Sequence, residues 1–138
     1  MANTAKNLPG INIQWPWSEL LLSGKKSIET RSYALPKKFI GVELAVIETP
    51  GPRGKKEAGI EKARIVGTIV FSESFPYTSK SQWKKDFGRH RVDVEDPQYS
   101  WEKRSAVFGW KVASVKRLKQ PKPPPLKRGI VFAKDCQV

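Results

Sequence analysis

The sequence predicts a mostly β, α+β domain: a small β-barrel covered by one or two helices. Three long segments alternate apolar and polar residues, as half-buried strands do, whereas helical periodicity is confined to short stretches. Ordinary loop lengths separate these segments, as in small barrels. The chain has 138 residues, which fits one domain with a single core.

The first elements are short. Residues 1–9 are expected to form a flexible tail, and "GINIQ" follows as a strand. "PWSELLLSG" predicts a helix, because Pro16 suits a first turn and Gly24 suits a C-terminal cap. "SIETRSY" then alternates as a strand, which places Glu29 and Arg31 on the same face.

The three long strands follow. They are expected at Gly41–Thr49, at Ile65–Ser74 and in "AVFGWKVASVKRL". The connection between the first two carries Arg53, Lys55 and Lys56 and is predicted to be an exposed basic loop, with at most a turn of helix.

A second helix and a final strand complete the prediction. "SKSQWKKDFG" opens with Ser79 and Gln82 at capping-box spacing and predicts a short amphipathic helix containing Trp83. "KQPKPPPLKRG" resembles a polyproline linker in composition. Because "GIVFAK" after it is a credible strand, we interpret the Pro-rich segment as a stiff loop that returns the chain to the barrel.

The charge of the chain indicates a polyanionic partner. The formal net charge is +13, and basic residues are concentrated at 53–64, 80–91 and 116–128. RNA or single-stranded nucleic acid is the partner that clustered basic runs favour. The alternative is that excess lysine serves only solubility.

Several classes of protein are disfavoured. No stretch of 18 apolar residues predicts a membrane span, and the N-terminus lacks the apolar segment of a secretory signal, so a cytoplasmic location is expected. One histidine and one cysteine cannot build a zinc site of several such ligands. Carboxylate-held Mg²⁺ or Mn²⁺ stays open, but no motif marks such a site, and no cofactor is predicted. His90, a lone histidine among arginines, is expected on the surface, and Cys136 at a fraying terminus.

Charges concentrate directly after the first helix, where Lys26, Glu29 and Arg31 fall within six positions. Two interpretations stand. They form a solvated ion-pair cluster of little energetic value, or they line a pocket in which the planar fork of Arg31 binds phosphate or a base edge.

The stretch "IQWPWSELLLSGKKSIETRSYALPKKFIG" resembles the ASCH domain family. The family hallmark is a strand, a Pro-aromatic helix and then G-x-K-x-x-E-x-R, whose positions are filled here by Gly24, Lys26, Glu29 and Arg31. The position of Trp15 is commonly glutamine in relatives. The resemblance covers residues 10–134, the expected domain. It implies a barrel like that of the RNA-binding PUA domains, with a cleft lined by the motif residues.

The resemblance leaves two classes of function open. One is a module that binds RNA or single-stranded nucleic acid, with one nucleotide in the cleft. The other is an enzyme on the same cleft with Lys26, Glu29 and Arg31 as catalytic residues. Some relatives resemble metal-independent ribonucleases for single-stranded RNA. Others resemble N4-acetylcytidine amidohydrolases, whose nucleophilic threonine is replaced here by Glu29.

The remaining candidates surround the motif or lie in basic segments. Trp15 and Trp17 are placed to stack on a base, although Trp17 is expected to pack under its helix, and Tyr99 and Trp101 are placed to form a pocket wall. Trp110 is expected in the core. The expected nucleic-acid-binding residues are Trp15, Lys25, Lys26, Arg31, Ser32, Tyr33, Arg53, Lys55, Lys56, Lys127 and Arg128.

Overall fold

The computed structural model describes residues 6–138, and a six-stranded mixed sheet is its main feature. The strands are β1 (Asn7–Gln14), β2 (Ile28–Arg31), β3 (Leu44–Thr49), β4 (Arg64–Pro76), β5 (Phe108–Lys122) and β6 (Phe132–Gln137). The helices of these residues are α1 (Trp17–Leu22), α2 (Gly51–Glu57), α3 (Lys80–Lys85) and α4 (Phe87–His90), with single 3-10 turns at Lys37–Phe39 and Trp101–Lys103. The mostly β, α+β prediction is confirmed.

The sheet is not closed, so the expected barrel is corrected to a curled open sheet. The strand order is β2-β5-β4-β3-β1-β6, with β1 and β3 parallel and the other pairs antiparallel. The edge strands β2 and β6 do not pair with each other. The guanidinium of Arg31 on β2 instead reaches the main-chain oxygen of Asn12 on β1, so side chains occupy the opening between the two ends of the sheet.

Both ends of the described part of the chain enter the sheet. β1 begins at Asn7, which pairs with Gln137, so the expected tail is wrong for residues 7–9, while residues 1–5 lie outside the described residues. β6 extends past the expected boundary at 134 to Gln137. Cys136 is fully buried there against Gly10, rather than fraying, and a side chain added at Gly10 would meet the Cys136 sulfur.

The core fills both faces of the central strands. One cluster packs α1 against the sheet around Leu21, Phe71 and Trp110. A smaller cluster on the other face contains Ile47 and Ile65. The expected burial of Trp110 is confirmed, and β4 is buried on both faces through its first half, as its apolar sequence predicts.

A third cluster holds α3 and α4 against the end of the sheet. Trp83 is buried in it beside Tyr77, Val92 and Val107. The predicted start of α3 is confirmed, because the Ser79 side chain accepts a hydrogen bond from the Gln82 amide. The described helices are all too short to cross a bilayer.

Candidate functional site

A cleft of about 520 Å³ lies where β2 approaches β1. Its walls come from six parts of the chain: the ends of β1 and β3, α1, the Lys26–Arg31 segment, and the irregular stretches around residues 92–104 and 126–130. Lys26, Glu29 and Arg31 all line it. The structure thus brings the three motif charges together in one concavity.

Lys26 is the most buried charge of the cleft, with 1% of its surface exposed. Gly24, with a φ of +83°, turns the chain back under α1, and the Lys26 amide then bonds to the Leu20 oxygen. The ammonium donates to the main-chain oxygen of His90 and lies 3.5 Å from a Glu29 oxygen. Burial lowers the pKa of Lys26 to about 8, against the opposing pull of Glu29.

Glu29 lies between the two cations. Its Oε2 accepts from the Arg31 Nε at 2.9 Å, and its Oε1 faces Lys26. Burial opposes ionisation, but the charges of Arg31 and Lys26 outweigh it, so the pKa of Glu29 lies below its ordinary value. Glu29 is therefore a carboxylate that holds two cations in place.

Arg31 is fixed by three parts of the protein. Its Nε donates to Glu29, its Nη1 to the Tyr33 hydroxyl at 3.1 Å and its Nη2 to the Asn12 main-chain oxygen at 2.9 Å. The guanidinium also lies over the Trp110 ring, 5.3 Å from its centroid. Burial disfavours the charged form of Arg31, but the negative charge of Glu29 outweighs this effect. The pKa of Arg31 therefore lies above its ordinary value. Arg31 is permanently cationic, and N–H hydrogens remain for a ligand.

Arg104 is a fourth charged residue of the cleft, and the sequence did not single it out. Its guanidinium lies over the Tyr99 ring at 5.3 Å. Its Nη1 is buried and has no hydrogen-bond partner among residues 6–138. Burial lowers its pKa from the ordinary value. The one available signal was its position beside Tyr99 and Trp101, which were proposed as a pocket wall.

The aromatic lining consists of Trp17 and Tyr99. Their rings meet edge to face with centroids 6.0 Å apart, and the Lys26 ammonium lies 5.1 Å from the Trp17 centroid. The Tyr99 hydroxyl donates to Gln14 at 3.1 Å. Trp15 lies outside this lining, with Arg53 over its ring, and Trp101 packs on Trp83. The aromatic side chains that line the cleft are thus Trp17 and Tyr99.

Asn12 connects the cleft to the loop before β6. Its side-chain amide donates to the main-chain oxygens of Gly129 and Ile130 at 2.9 and 3.0 Å. Its main-chain oxygen accepts from Arg31. One residue therefore fixes both the motif arginine and the loop that carries Arg128 into the cleft.

The other expected binding residues are exposed and do not line the cleft, although Tyr33 contacts Arg31. They are Lys25, Ser32, Tyr33, Arg53, Lys55, Lys56 and Lys127. The basic loop expected between β3 and β4 folds as α2, where Arg53 pairs with Glu57 at 2.9 Å. None of these residues is part of the cleft lining.

The expectation of a surface histidine at His90 is wrong. The ring is fully buried and stacks on Trp83 with centroids 4.9 Å apart. Nδ1 accepts from the Val92 amide, so Nε2 carries the proton and donates to the Trp83 oxygen. Burial lowers the pKa of His90 to about 4. His90 is therefore neutral, and its main-chain oxygen accepts the hydrogen bond from the Lys26 ammonium.

The residue types that bind transition metals are dispersed. Within residues 6–138, no three His, Cys, Asp or Glu side chains come together as metal ligands would. The cleft offers one carboxylate and several cations, a donor set suited to an anionic organic ligand.

No protein-family model matches the sequence, and no curated protein matches it. Solved structures do match the fold, among them three ASCH structures from Zymomonas mobilis. The crystal structure of ASCH from Zymomonas mobilis has a TM-score of 0.67 at 10% identity, covering 91% of this chain and 85% of that one. A serine-to-alanine mutant of ZmASCH gives 0.66 at 10% identity, over 91% and 86% of the chains. A tyrosine-to-phenylalanine mutant gives 0.62 at 11% identity, over 83% and 74%.

The fold defines the structural class of the molecule. At these identities the match establishes the fold, and this chain has the fold of the ASCH domains over nine-tenths of its length. The resemblance drawn from Gly24, Lys26, Glu29 and Arg31 is confirmed at that level.

Proposed function

We propose that this protein is an ASCH-family RNA-binding protein that holds single-stranded RNA with one nucleotide inserted in the cleft. The observation that carries the proposal is the charge of the lining. Lys26, Arg31, Arg104 and Arg128 face one cavity, with Glu29 as its carboxylate. A pocket with excess cations and aromatic walls suits a nucleotide, which is an anion joined to a flat ring.

The parts of the nucleotide correspond to different groups of the cleft. Trp17 and Tyr99 supply faces on which a base stacks, at about 1–3 kcal/mol for each stacked base. The Nη1 of Arg104, which has no hydrogen-bond partner among residues 6–138, and the remaining hydrogens of Arg31 supply donors for phosphate or for a base carbonyl. The net charge of +13 draws the strand toward this site.

Fluorescence anisotropy with labelled single-stranded and double-stranded RNA tests the proposal. We expect the single strand to bind more tightly, because a paired base is not free to enter the cleft. Affinity should fall steeply as salt rises, through counterion release. Equal affinity for both forms, or affinity unchanged between low and physiological salt, would contradict the proposal. A cytoplasmic location stays a prediction.

A ribonuclease is the second candidate, and the lowered pKa of Lys26 favours it. A lysine of pKa about 8 has a neutral fraction near physiological pH and can act as a general base. Lys26 would take the proton of a ribose 2′-OH, whose oxygen attacks phosphorus. The new P–O2′ bond replaces the P–O5′ bond, and the departing 5′ oxygen takes a proton from water. Arg31 and Arg104 would stabilise the phosphorane charge.

Cleavage of labelled single-stranded RNA separates the two candidates. The ribonuclease predicts a cyclic 2′,3′-phosphate product, loss of cleavage in Lys26→Ala, and no cleavage of a strand with a 2′-deoxyribose at the scissile position. If the parent protein binds the RNA but leaves it intact after prolonged incubation, the ribonuclease is rejected and the RNA-binding function is retained.

The amidohydrolase alternative has weaker support. Glu29 stands at the threonine position of those relatives, and its two oxygens are paired with Lys26 and Arg31. These cations outweigh the effect of burial and lower its pKa, which weakens it as a nucleophile. Release of acetate from N4-acetylcytidine by the parent protein, lost in Lys26→Ala, would reverse this ranking.

A further inference from the structure

A second concavity lies on the other side of the loop before β6. This groove, of about 930 Å³, is formed by the 3-10 turn at Lys37–Phe39, the start of β6 and the Pro-rich segment. Its floor is apolar, with Phe39, Val42 and Phe132 among the lining residues. The rings of Phe39 and Phe132 lie 4.5 Å apart at an interplanar angle of 31°.

The rim of the groove is strongly basic. Lys38, Lys127, Arg128 and Lys134 line it, together with one acidic residue, Asp135. The three lysines are exposed, and none forms an ion pair within residues 6–138. The Lys38 ammonium lies over the Phe39 ring, 5.1 Å from its centroid. An apolar floor under a basic rim favours an anionic partner with flat apolar parts.

The groove adjoins the cleft across the loop before β6. Arg128 and Gly129 line both cavities, so a strand that leaves the cleft over this loop reaches the groove. Asn12 fixes the shared segment through the Gly129 and Ile130 oxygens. On the cleft side the loop presents Leu126 and Ile130, whose side chains are fully exposed and apolar. Such exposed apolar groups beside arginine suit contact with unpaired bases.

We propose that the groove is a second subsite for the same single strand and binds the nucleotides next to the one in the cleft. The inference rests on the proposed function and extends it. Arg128 neutralises the phosphate between the two subsites, Lys127 and Lys134 neutralise those that follow, and the Phe39 and Phe132 floor receives bases. The protein therefore recognises a segment of several nucleotides rather than a single nucleotide.

The test compares a ligand that reaches one subsite with a ligand that reaches both. Uridine monophosphate fits the cleft alone, whereas an eight-residue uridine strand extends onto the groove and forms no duplex. The groove variant carries Lys38→Gln, Lys127→Gln and Lys134→Gln. The matched control carries Lys62→Gln, Lys85→Gln and Lys119→Gln, which removes the same charge from exposed positions outside both cavities.

The parent should bind the octamer at least about tenfold more tightly than the monophosphate. The groove variant should lose most of that gain and keep the monophosphate affinity, and its salt dependence should be shallower by about two in the log–log slope. The control should resemble the parent more closely. A groove variant that binds the octamer no worse than the control overturns the subsite and leaves the cleft proposal standing. Failure of the parent to bind either ligand overturns both.

A competition arm identifies the class of partner. An eight-residue glutamate peptide carries a similar charge but no bases. If it displaces the octamer from the parent as well as unlabelled octamer does, the groove binds acidic protein and the assignment to nucleic acid is wrong. Weak competition is the expected result, because a peptide of this kind has no ring to place on Phe39 and Phe132.

Discussion

The ammonium group of Lys26 donates a hydrogen bond to the main-chain oxygen of His90, so α4 positions the most buried cation of the cleft. Two further contacts join the same segments. The Ser27 amide donates to the Arg89 oxygen at 2.8 Å, and Arg91 Nε donates to the Lys25 oxygen at 3.1 Å. Because His90 is itself stacked on Trp83, the helical cluster determines where the charge of Lys26 lies.

The first prediction concerns the charge of Lys26. Its pKa is about 8, so the cationic form is lost as the pH rises through that value. RNA affinity should therefore fall between pH 7 and pH 9, while the arginines stay charged. Anisotropy with an adenosine oligonucleotide measures this, since adenine does not titrate in the range. Lys26→Met should bind more weakly at pH 7 and show little of this pH dependence.

A ribonuclease would respond to the same titration with the opposite sign. A general base must be neutral, so the cleavage rate should rise as the pH passes through about 8 and then level off, while affinity declines. Affinity that is identical at pH 7 and pH 9 in the parent would mean that Lys26 does not contact the RNA.

The second prediction is a loss of stability in mild acid caused by His90. Its folded pKa of about 4 lies below the ordinary 6.5, so the unfolded chain binds a proton that the folded protein refuses. Stability is full above pH 6.5 and is lost as the pH falls toward 4. Between pH 6.5 and 5 the loss should be about 2 kcal/mol.

Urea unfolding at several pH values tests the role of His90. His90→Phe removes the titrating group, so the variant should be less stable at pH 7 but should lose less stability than the parent between pH 6.5 and 5. Parallel pH profiles for the two proteins would show that another group is responsible.

The motif charges of the cleft could be predicted from sequence because they are local. Glu29 and Arg31 are two residues apart on a strand, and that spacing alone places them on one face. The expectation that these charges line a cleft came from the resemblance to the ASCH domain family. Arg104 could not be found this way, because it enters from an irregular segment more than 70 residues away and no periodicity marks it. His90 was misjudged because its neighbours in sequence are basic, whereas its neighbours in space are Trp83 and Tyr77.

The fold also divides into features that local sequence pattern predicts and features that depend on the assembled molecule. Alternation located the strands of the sheet and the core position of Trp110, since these follow from local pattern. Closure of the sheet depends on how far the strands curl and on what fills the opening, which are properties of the assembled molecule. Here the Arg31 guanidinium and the loop held by Asn12 fill it, and β2 and β6 remain separate edges.

The third prediction is that Glu29 is required for stability. Lys26 and Glu29 are 1% and 7% exposed in their side chains, so Glu29→Gln leaves a buried ammonium without its counter-charge. The expected cost is about 3–5 kcal/mol in the free energy of unfolding. Part of the loss should be recovered at high pH, because the pKa of Lys26 falls further in the variant and the lysine then loses its charge.

Chemical denaturation with a surface control measures the cost. Glu102 pairs with Lys80 on the surface, so Glu102→Gln should leave the free energy of unfolding nearly unchanged. If Glu29→Gln is as stable as Glu102→Gln, the motif charges are a solvated cluster and the buried network is wrong.

The fourth prediction isolates the shape of Arg31 from its charge. Arg31→Lys keeps one positive charge but cannot reproduce the simultaneous bonds to Glu29, Tyr33 and the Asn12 oxygen. Because the loop before β6 is held through Asn12, the change should disturb both the floor of the cleft and its rim. RNA affinity should fall by about tenfold or more, the scale of one charge-assisted hydrogen bond.

Lys122→Gln, an exposed change outside both cavities, should stay within about twofold of the parent. Circular dichroism and thermal unfolding are measured on the same samples, so that lost affinity is compared only among folded proteins. If folded Arg31→Lys binds RNA as the parent does, the planar guanidinium has no part in recognition, and the cleft is not the RNA site.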